Sequence, residues 1–320
     1  MQNLLYVLGE ASNELNLYCL DAGTGKLVWA QPLGLCEMPL TSDLNRRITA
    51  LVPTYSNGVM ICPTNSGKII AVDVFNRCLL WAQTYNQSPN WQIPGAMMNR
   101  RVVFNNGNQV SDGSQTRWAD GTAAVAGGKV VVGPADGDEL LCYDLLTGES
   151  VWRLSRNDMP DRSPLFVASV DESGVVVAGR NSLFGIDLLK KSVQFSIDYA
   201  GGQPSGRGYR SGNFYYLPLN TAEVIKVDSA AKKIASRSKL RKGVVPGNLI
   251  VHRGQIVSVG DERVAVLLLA GRSPRLGEGR FGKIAKRSGR ALRVRRDRIE
   301  LGQAAGSDRA FGQSLRREAR

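Results

Sequence analysis

The sequence is poor in the residues from which metal and redox centres are usually built. It has one histidine, His252, and five cysteines, none of them in a C-x-x-C pair. Zinc sites and dithiol redox centres use such pairs, so the sequence offers neither kind of site. Three of the cysteines, Cys19, Cys62 and Cys142, lie in apolar runs and are predicted to pack as free thiols. The sequence also has no run of about 18 consecutive apolar residues, which excludes a membrane-spanning helix.

The positive charge of the chain is concentrated near its C-terminus. The net charge is +13, and residues 271–320 hold 15 Lys and Arg against 5 Asp and Glu, or +10 of that total. Apolar alternation also stops at residue 271, where Arg, Gly, Ala and Ser become dominant. We therefore predict a globular domain over residues 1–270 and a basic, low-complexity tail over residues 271–320 that is disordered or poorly ordered.

Three interpretations of this tail remain open. It is a solvated extension, an arm that binds nucleic acid or an acidic surface, or the product of a shifted reading frame. Basic arms bind phosphates with release of counterions, which makes the second interpretation testable by a salt titration. Only Phe281 and Phe311 are available there for base stacking, so the sequence disfavours nucleic acid as a partner.

A repeat runs through the globular part. Five segments share an apolar strand that ends in Asp, a tight turn, and a second strand with a large residue eight positions after the Asp. Apolar runs upstream supply two further strands per repeat, so each unit has four short antiparallel strands. This pattern predicts an all-β fold, a β-propeller with five anchored blades and a partial one at residues 247–269. The repeated pairs are Asp21 with Trp29, Asp73 with Trp81, Asp144 with Trp152, Asp187 with Phe195, and Asp228 with the degenerate Ser236.

The turn residues explain why the pattern recurs. An Asp at the start of a turn accepts hydrogen bonds from the following backbone, and Gly25 and Gly148 lie where a positive φ is needed. The large residue on the last strand is predicted to wedge between neighbouring blades, where an indole buries about 150–250 Å². The aspartates, the two glycines and the aromatic residues are therefore predicted to dock one blade on the next.

The strings LDAGTGKLVW (20–29) and YDLLTGESVW (143–152) resemble the pyrroloquinoline-quinone-like (PQQ-like) repeat of quinoprotein alcohol-dehydrogenase-like and BamB-like propellers. The similarity extends over roughly residues 3–269, although the repeats at Asp187 and Asp228 lack the Thr-Gly and Trp residues. The resemblance implies either a quinone-dependent dehydrogenase or a non-enzymatic binding protein of the bacterial periplasm or cell envelope. No signal peptide is visible in the sequence. The resemblance implies a closed ring of about eight blades, so we also expect an N-terminally incomplete copy of a longer protein.

The residues that the enzymatic alternative needs are not evident. The resemblance implies, for that alternative, PQQ with calcium, a vicinal Cys pair and often a C-x-x-C-H haem site, and the sequence has neither motif. Asp136, Asp138 and Glu139 form an acidic cluster, but an Asp-Gly turn explains it better than a cation site. His252 has no acidic partner nearby in sequence and is predicted to be a strand residue. We therefore predict no catalytic, cofactor or metal site.

The most informative segment is an insertion between the second and third repeats, residues 83–121. Loops of this length in compact repeat folds are usually functional or disordered. Its aromatic and arginine residues are of the types enriched at binding hot spots. We predict a recognition loop with another protein as partner; capping of a blade edge is the alternative. The candidate residues are Trp91, Arg100, Arg101 and Trp118.

Overall fold

The computed structural model describes residues 3–49, 51–88, 104–105, 108–109, 118–240, 244–252, 255–260, 263–268, 293–298 and 300–301. Nearly all regular structure in these ranges is β-strand. The helical segments described are α1 (Leu44–Ile48) and a single 3-10 turn at Arg156–Asp158. The Asp43 side chain begins α1 by accepting a hydrogen bond from the Arg46 backbone N–H at 3.0 Å.

The strands up to residue 155 form three sheets, which we number as blades, and one hairpin. Blade 1 has three strands and blades 2 and 3 have four, each in chain order and antiparallel. The strands are β1 (Leu4–Ala11), β2 (Glu14–Asp21) and β3 (Leu27–Leu35) in blade 1; β4 (Thr54–Ser56), β5 (Val59–Pro63), β6 (Lys68–Asp73) and β7 (Cys78–Thr84) in blade 2; β8 (Phe104–Asn105) and β9 (Asn108–Gln109) in the hairpin; and β10 (Ala124–Ala126), β11 (Lys129–Val132), β12 (Glu139–Asp144) and β13 (Ser150–Ser155) in blade 3.

Three further blades follow. Blades 4 and 5 repeat the four-stranded order, and a short last strand pairs with the outer strand of blade 5. Blade 6 has three antiparallel strands and a fourth that runs parallel to the third. The strands are β14 (Pro164–Val170), β15 (Gly174–Gly179), β16 (Ser182–Asp187) and β17 (Val193–Asp198); β18 (Tyr209–Ser211), β19 (Phe214–Leu219), β20 (Glu223–Asp228) and β21 (Lys233–Lys239); β22 (Asn248–His252), β23 (Gln255–Val259), β24 (Arg263–Leu268) and β25 (Arg293–Arg298); and β26 (Glu300–Leu301), which pairs with β21.

The predicted four-stranded antiparallel repeat is thus confirmed, and β22–β24 account for the partial sixth unit. The Asp-bearing run lies in the second strand of the three-stranded blade 1 and in the third strand of blades 2 to 5, and the next strand contains its partner eight residues later. In blades 1, 2, 3 and 5 the register shifts by a β-bulge just before the Asp, as between Cys142 and Tyr143. The shift pairs the Trp with the residue two before the Asp, as in Cys142 with Trp152. The bulge therefore fixes the sheet face on which each indole lies.

The core consists of apolar layers between successive blades. Blades 1 and 2 share a layer around Leu17 and Ile70, blades 2 and 3 one around Ile61 and Tyr143, and blades 3 and 4 one around Phe184. Blades 5 and 6 form a comparable layer. Both faces of blade 3 are consequently buried, which explains why its middle strands β11 and β12 are almost continuously apolar, whereas the outer strand β13 alternates.

The chain divides into two compact units, Met1–Gln194 and Phe195–Arg320. This division is different from the predicted boundary at residue 270, and it does not test whether residues 271–320 form a separate tail. Within those tail residues the structure describes β25 and β26, both paired with strands of the second unit. The order of the other tail residues stays a prediction.

Candidate functional site

The five predicted Asp-closed turns share one geometry. In each, the carboxylate accepts hydrogen bonds from the backbone N–H groups two and three residues later; in blade 3 these are Leu146 at 3.0 Å and Thr147 at 3.1 Å from Asp144. Such bonds favour the charged form and lower the pKa values of Asp73 and Asp187. At Asp21 the hydrogen bond from the Thr24 hydroxyl lowers the pKa most, and the backbone bonds add to it. The Lys129 ammonium, 2.8 Å from Asp144, lowers the pKa of that carboxyl further, to about 2.

The residue four positions after each Asp adopts a left-handed conformation. Its φ is +71° at Gly25 and +73° at Gly148, but also between +54° and +59° at Arg77, Lys191 and Lys232. The repeats that lack Thr-Gly therefore form the same turn, with a side chain in a conformation that usually favours glycine. The Asp bonds suffice to close these turns, so the departure from the repeat is one of sequence and not of local structure.

Indoles join adjacent blades in two places. The Trp81 N–H donates to the Leu145 carbonyl at 2.9 Å, and the Trp152 N–H donates to the Leu188 carbonyl at 2.7 Å. Both acceptors directly follow the turn-closing Asp of the next blade. Gly148 lies against the Trp81 ring, where a Cβ would be 2.6 Å from ring carbons. The structure thus places Trp81, Gly148 and Trp152 in direct contacts between blades.

The other predicted docking residues are less enclosed. Trp29 is half-buried at the layer between blades 1 and 2, and its ring lies edge-on to Tyr6 with centroids 5.9 Å apart. Phe195 is half-buried on β17. Ser236, at the degenerate position, pairs with Lys226 across the two strands.

A buried carboxylate joins blades 2 and 3 where the insertion begins. Asp136, which is 0% exposed, accepts hydrogen bonds from the Tyr85 hydroxyl, from the Gly67 backbone at 2.9 Å and from the Gln87 amide at 2.9 Å. Its backbone carbonyl accepts from Ser88 N at 2.7 Å. Burial, with the nearby Asp136 charge, raises the pKa of Tyr85 well above its usual value, so this hydroxyl stays a donor.

The returning end of the insertion is anchored as well. Trp118 is 3% exposed and packs over Gly133 in the layer between blades 3 and 4. The backbone N–H groups of Ala119 and Asp120 donate to the Leu165 carbonyl. We call residues 85–88, 118–120 and 133–137 the insertion base. Trp118 thus lies in the core in this structure, whereas Trp91, Arg100 and Arg101 lie outside the described residues.

The insertion base is the feature that sequence reasoning missed. Asp136 does lie in a turn, as the sequence predicts, and the Gly137 N–H donates to the Pro134 carbonyl at 3.0 Å. The sequence does not predict that its carboxylate also accepts hydrogen bonds from Gly67, Tyr85 and Gln87. Asp138 lies 3.0 Å from Arg156, and Glu139 begins β12. In the described ranges, no group of three or more His, Cys, Asp or Glu residues is arranged to hold a metal ion. No signal in the sequence separates the buried Asp136 from the neighbouring Asp138 and Glu139.

His252 is the last residue of β22, as expected for a strand residue. Burial raises the pKa of Cys142 to about 12, so this thiol stays protonated near neutral pH. Cys19, Cys36 and Cys62 are also free and buried, while Cys78 is exposed.

Residues 1–97 match the sequence family described as outer membrane protein assembly factor BamB. The predicted resemblance to PQQ-like repeat proteins is confirmed. The matched residues cover blades 1 and 2 with their Asp-closed turns. No curated protein matches the sequence.

Three solved structures with similarity to this chain are compared by coverage, identity and TM-score. The WD40 β-propeller domain of Doa1 has a TM-score of 0.50 at 9% identity, covering 80% of this chain and 72% of that one, which shows the β-propeller fold. BamB from Moraxella catarrhalis has a TM-score of 0.48 at 12% identity, with 81% of this chain and 73% of that chain covered. A europium-containing methanol dehydrogenase has a TM-score of 0.47 at 12% identity, with 75% and 50% covered.

Among the residues that the structure describes, no helix has the length and apolar character needed to cross a membrane.

Proposed function

We propose that this protein is a non-catalytic binding scaffold, a propeller with PQQ-like repeats whose partner is another protein. The observation that carries the proposal is the insertion base. One end of the insertion is fixed to blades 2 and 3 by the Asp136 bonds, and the other end is fixed to blades 3 and 4 by the buried Trp118. A long insertion on a rigid base is the arrangement by which repeat scaffolds present binding residues.

The use of the carboxylates supports a role other than catalysis. The turn-closing aspartates are acceptors for backbone N–H groups, and the Asp136 carboxylate accepts three hydrogen bonds, from Gly67, Tyr85 and Gln87. Asp138 pairs with Arg156. These groups stabilise turns and blade contacts, and a general base or calcium ligand would have to give up those bonds. We further propose that the protein works without a quinone cofactor.

The recognition residues in this proposal are Trp91, Arg100 and Arg101. Tryptophan and arginine combine a large apolar area with directional hydrogen bonds, which suits them to the centre of a protein interface. Trp118 has a different role, because its buried side chain anchors the insertion. By the PQQ-like resemblance, we place the protein in the bacterial periplasm or cell envelope.

Cross-linking of the intact chain to an envelope fraction tests the recognition proposal. The wild-type protein and a control, Leu189→Ala at an exposed turn of blade 4, should cross-link to the same protein. The triple variant Trp91→Ala, Arg100→Ala, Arg101→Ala should lose that product while its thermal unfolding is unchanged. Retention of the product by the triple variant would contradict the proposal.

A quinone titration tests the non-catalytic part separately. Pyrroloquinoline quinone with Ca²⁺ should give no red-shifted bound spectrum and no dye reduction with primary alcohols. Alcohol-dependent dye reduction that tracks the protein concentration would show a dehydrogenase and would overturn the scaffold role.

A further inference from the structure

The loops that lead into blades 4 and 5 correspond residue by residue. Pro164 pairs with the last residue of the second strand of blade 4, and Pro204 pairs with the last residue of the second strand of blade 5. In both blades the next residue donates its N–H to the residue before the proline, at 3.0 Å in blade 4 and 2.9 Å in blade 5. Asp161 and Gly201, each three residues before its proline, therefore hold the same position.

Asp161 fills the space under this loop in blade 4, where it is 6% exposed. Its carboxylate accepts a hydrogen bond from the Ser163 N–H at 2.9 Å. It also accepts from the N–H groups of Asn181 at 2.7 Å and Ser182 at 3.1 Å, where the turn before β16 ends. One carboxylate thus satisfies three backbone donors that would otherwise lack an acceptor inside the protein.

Gly201 brings no side chain to this place in blade 5. A Cβ built on Gly201 would have no atom of the described residues within 4 Å. The Gln203 N–H has a different acceptor, the side-chain oxygen of Asn220 at 3.0 Å. Ala222 precedes β20 as Asn181 precedes β16, and within the described ranges no acceptor is found for the N–H groups of Gly201 and Ala222. The turn in blade 5 thus keeps a donor and lacks the carboxylate.

A cavity of about 490 Å³ lies at this position in blade 5, a size typical of small-molecule sites. Gly201, Ala200, Ala222 and Leu240 line it. Ala200 and Ala222 have φ values of +53° and +61°, a conformation that residues other than glycine rarely adopt and that is concentrated at functional sites. The cavity therefore combines unused donors, strained backbone and an apolar wall.

The charged side chains at the cavity leave a positive surplus. The Glu223 carboxylate accepts from the Arg237 guanidinium at 3.2 Å, and its other oxygen lies 4.0 Å from the Lys239 ammonium. The Lys239 side chain is 82% exposed, whereas that of Glu223 is 13% exposed. Glu223 is thus neutralised by Arg237, and the Lys239 ammonium can turn towards a second anion.

We propose that this cavity binds a small organic acid, whose carboxylate takes the place that the Asp161 side chain takes in blade 4. The carboxylate accepts from the N–H groups of Gly201 and Ala222 and pairs with Lys239, while the apolar part of the acid lies against Leu240. Backbone N–H groups beside left-handed residues form anion sites of this kind. The cavity belongs to the second compact unit and the insertion base to the first, so this site is independent of the scaffold function proposed above.

The direct test is an NMR titration of the intact isotope-labelled chain with benzoate. Benzamide has the same shape without the charge and is the matched probe. Benzoate should bind with a Kd of about 1–10 mM, as expected for so small a ligand. The shifts should centre on the amides of Gly201, Thr221 and Ala222, and benzamide should bind at least fivefold more weakly. Equal binding of the two probes, or shifts centred elsewhere, would overturn the proposal.

A built-in carboxylate should compete with the probe. Gly201→Asp restores the arrangement of blade 4 and should weaken benzoate binding at least tenfold. Gly201→Ala places the same backbone strain on the loop without a carboxylate, and it should bind benzoate within twofold of the wild type. Amide spectra that are unchanged outside the cavity show that both variants are folded. Equal benzoate affinities of the two variants would contradict the proposed position of the ligand carboxylate.

A pair of lysine variants tests the charge separately and does not alter the loop. Lys239→Gln should weaken benzoate binding at least threefold. Lys233→Gln removes the same charge from the other end of β21, away from the cavity lining, and should leave the affinity unchanged. Equal losses in the two variants would show that benzoate responds only to the net charge, and the site would be rejected.

Residues of the chain itself are the competing occupant. Arg241 and Lys242 directly follow Leu240 and lie outside the described residues. A cavity filled by the chain would give no benzoate shifts at Gly201 and Ala222 in the wild type, and this result overturns the proposal. It would leave the scaffold function standing, because cross-linking through the insertion does not involve blade 5. Conversely, loss of the scaffold function in the cross-linking test leaves the benzoate result unchanged.

Discussion

Blades 1 and 3 contain the same ten-residue motif but differ in what lies over it. In blade 3 the turn is covered by Trp81 of blade 2. The Trp81 ring contacts Gly148, and its N–H donates to the Leu145 carbonyl. In blade 1 a Cβ on the equivalent Gly25 would meet no atom of the described residues within 4 Å, and Leu27 is exposed. The comparison teaches that the motif specifies its turn locally, whereas its role in the molecule depends on the neighbour that supplies the indole.

The strongest expected effect is the removal of a docking indole. Trp152→Ala should lower the free energy of unfolding by about 3–5 kcal/mol, since it leaves a cavity between blades 3 and 4 and an unpaired Leu188 carbonyl. Leu27→Ala, at an exposed leucine of blade 1, should change it by at most about 0.5 kcal/mol. Urea unfolding of the two variants measures both values, and similar losses would remove the distinction between the covered and the exposed position.

The next effect concerns the buried contact between blades 2 and 3. In the wild type, Gly67, Tyr85 and Gln87 each donate a hydrogen bond to the Asp136 carboxylate. Asp136→Asn replaces one carboxylate oxygen by an NH₂ group, which is itself a donor, so one of the three donors loses its acceptor. The expected loss is about 1–3 kcal/mol.

Asp138→Asn is the matched control for this change. Its partner Arg156 is a partly exposed charge, and such pairs contribute at most about 1 kcal/mol. Thermal unfolding of the two variants compares them directly. Equal losses would show that Asp136 does not hold the insertion base.

The smallest effect is a pH dependence that differs between the two turns. Folding lowers the pKa of Asp144 to about 2, mainly through Lys129, from 3.8. A carboxyl with a lowered folded pKa stabilises the protein above its unfolded pKa, and this stabilisation is lost as the pH falls from about 4 towards 2.

Asp144→Asn should therefore flatten the decline of stability over that pH range, relative to the wild type. Asp21→Asn should do so less, because the Asp21 pKa is lowered chiefly by the exposed Thr24 hydroxyl and no ammonium group contributes. The urea midpoint measured at pH 5, 4, 3 and 2 tests this order. An identical profile for both variants would contradict the role given to Lys129.

The blade architecture could be predicted from the sequence because its determinants are local. The Asp bonds span two and three residues, and the bulge and the Trp lie within ten residues of the Asp. The turns at Lys191 and Lys232 were harder to predict, since the Thr-Gly signal is missing there while the Asp bonds remain.

The insertion base could not be predicted because its contacts are distant along the chain. Asp136 is 69 residues from Gly67 and 49 from Gln87. Nothing in a single sequence links such positions. Trp118 shows the same difficulty. Tryptophan is a residue type enriched at binding interfaces, which favours a role in recognition, whereas the tertiary packing buries this side chain in the core. The predictions for Trp91, Arg100 and Arg101 stand as made.

The most direct measurement of the central claim is the stability difference between Gly148→Ala and Gly25→Ala. Both changes place a Cβ at a left-handed residue, which costs roughly 1–2 kcal/mol in each. Only Gly148→Ala also pushes a methyl group into the Trp81 ring, and it should lose about 1–3 kcal/mol more by overpacking. Equal losses in the two variants would show that no indole distinguishes the turn of blade 3 from that of blade 1.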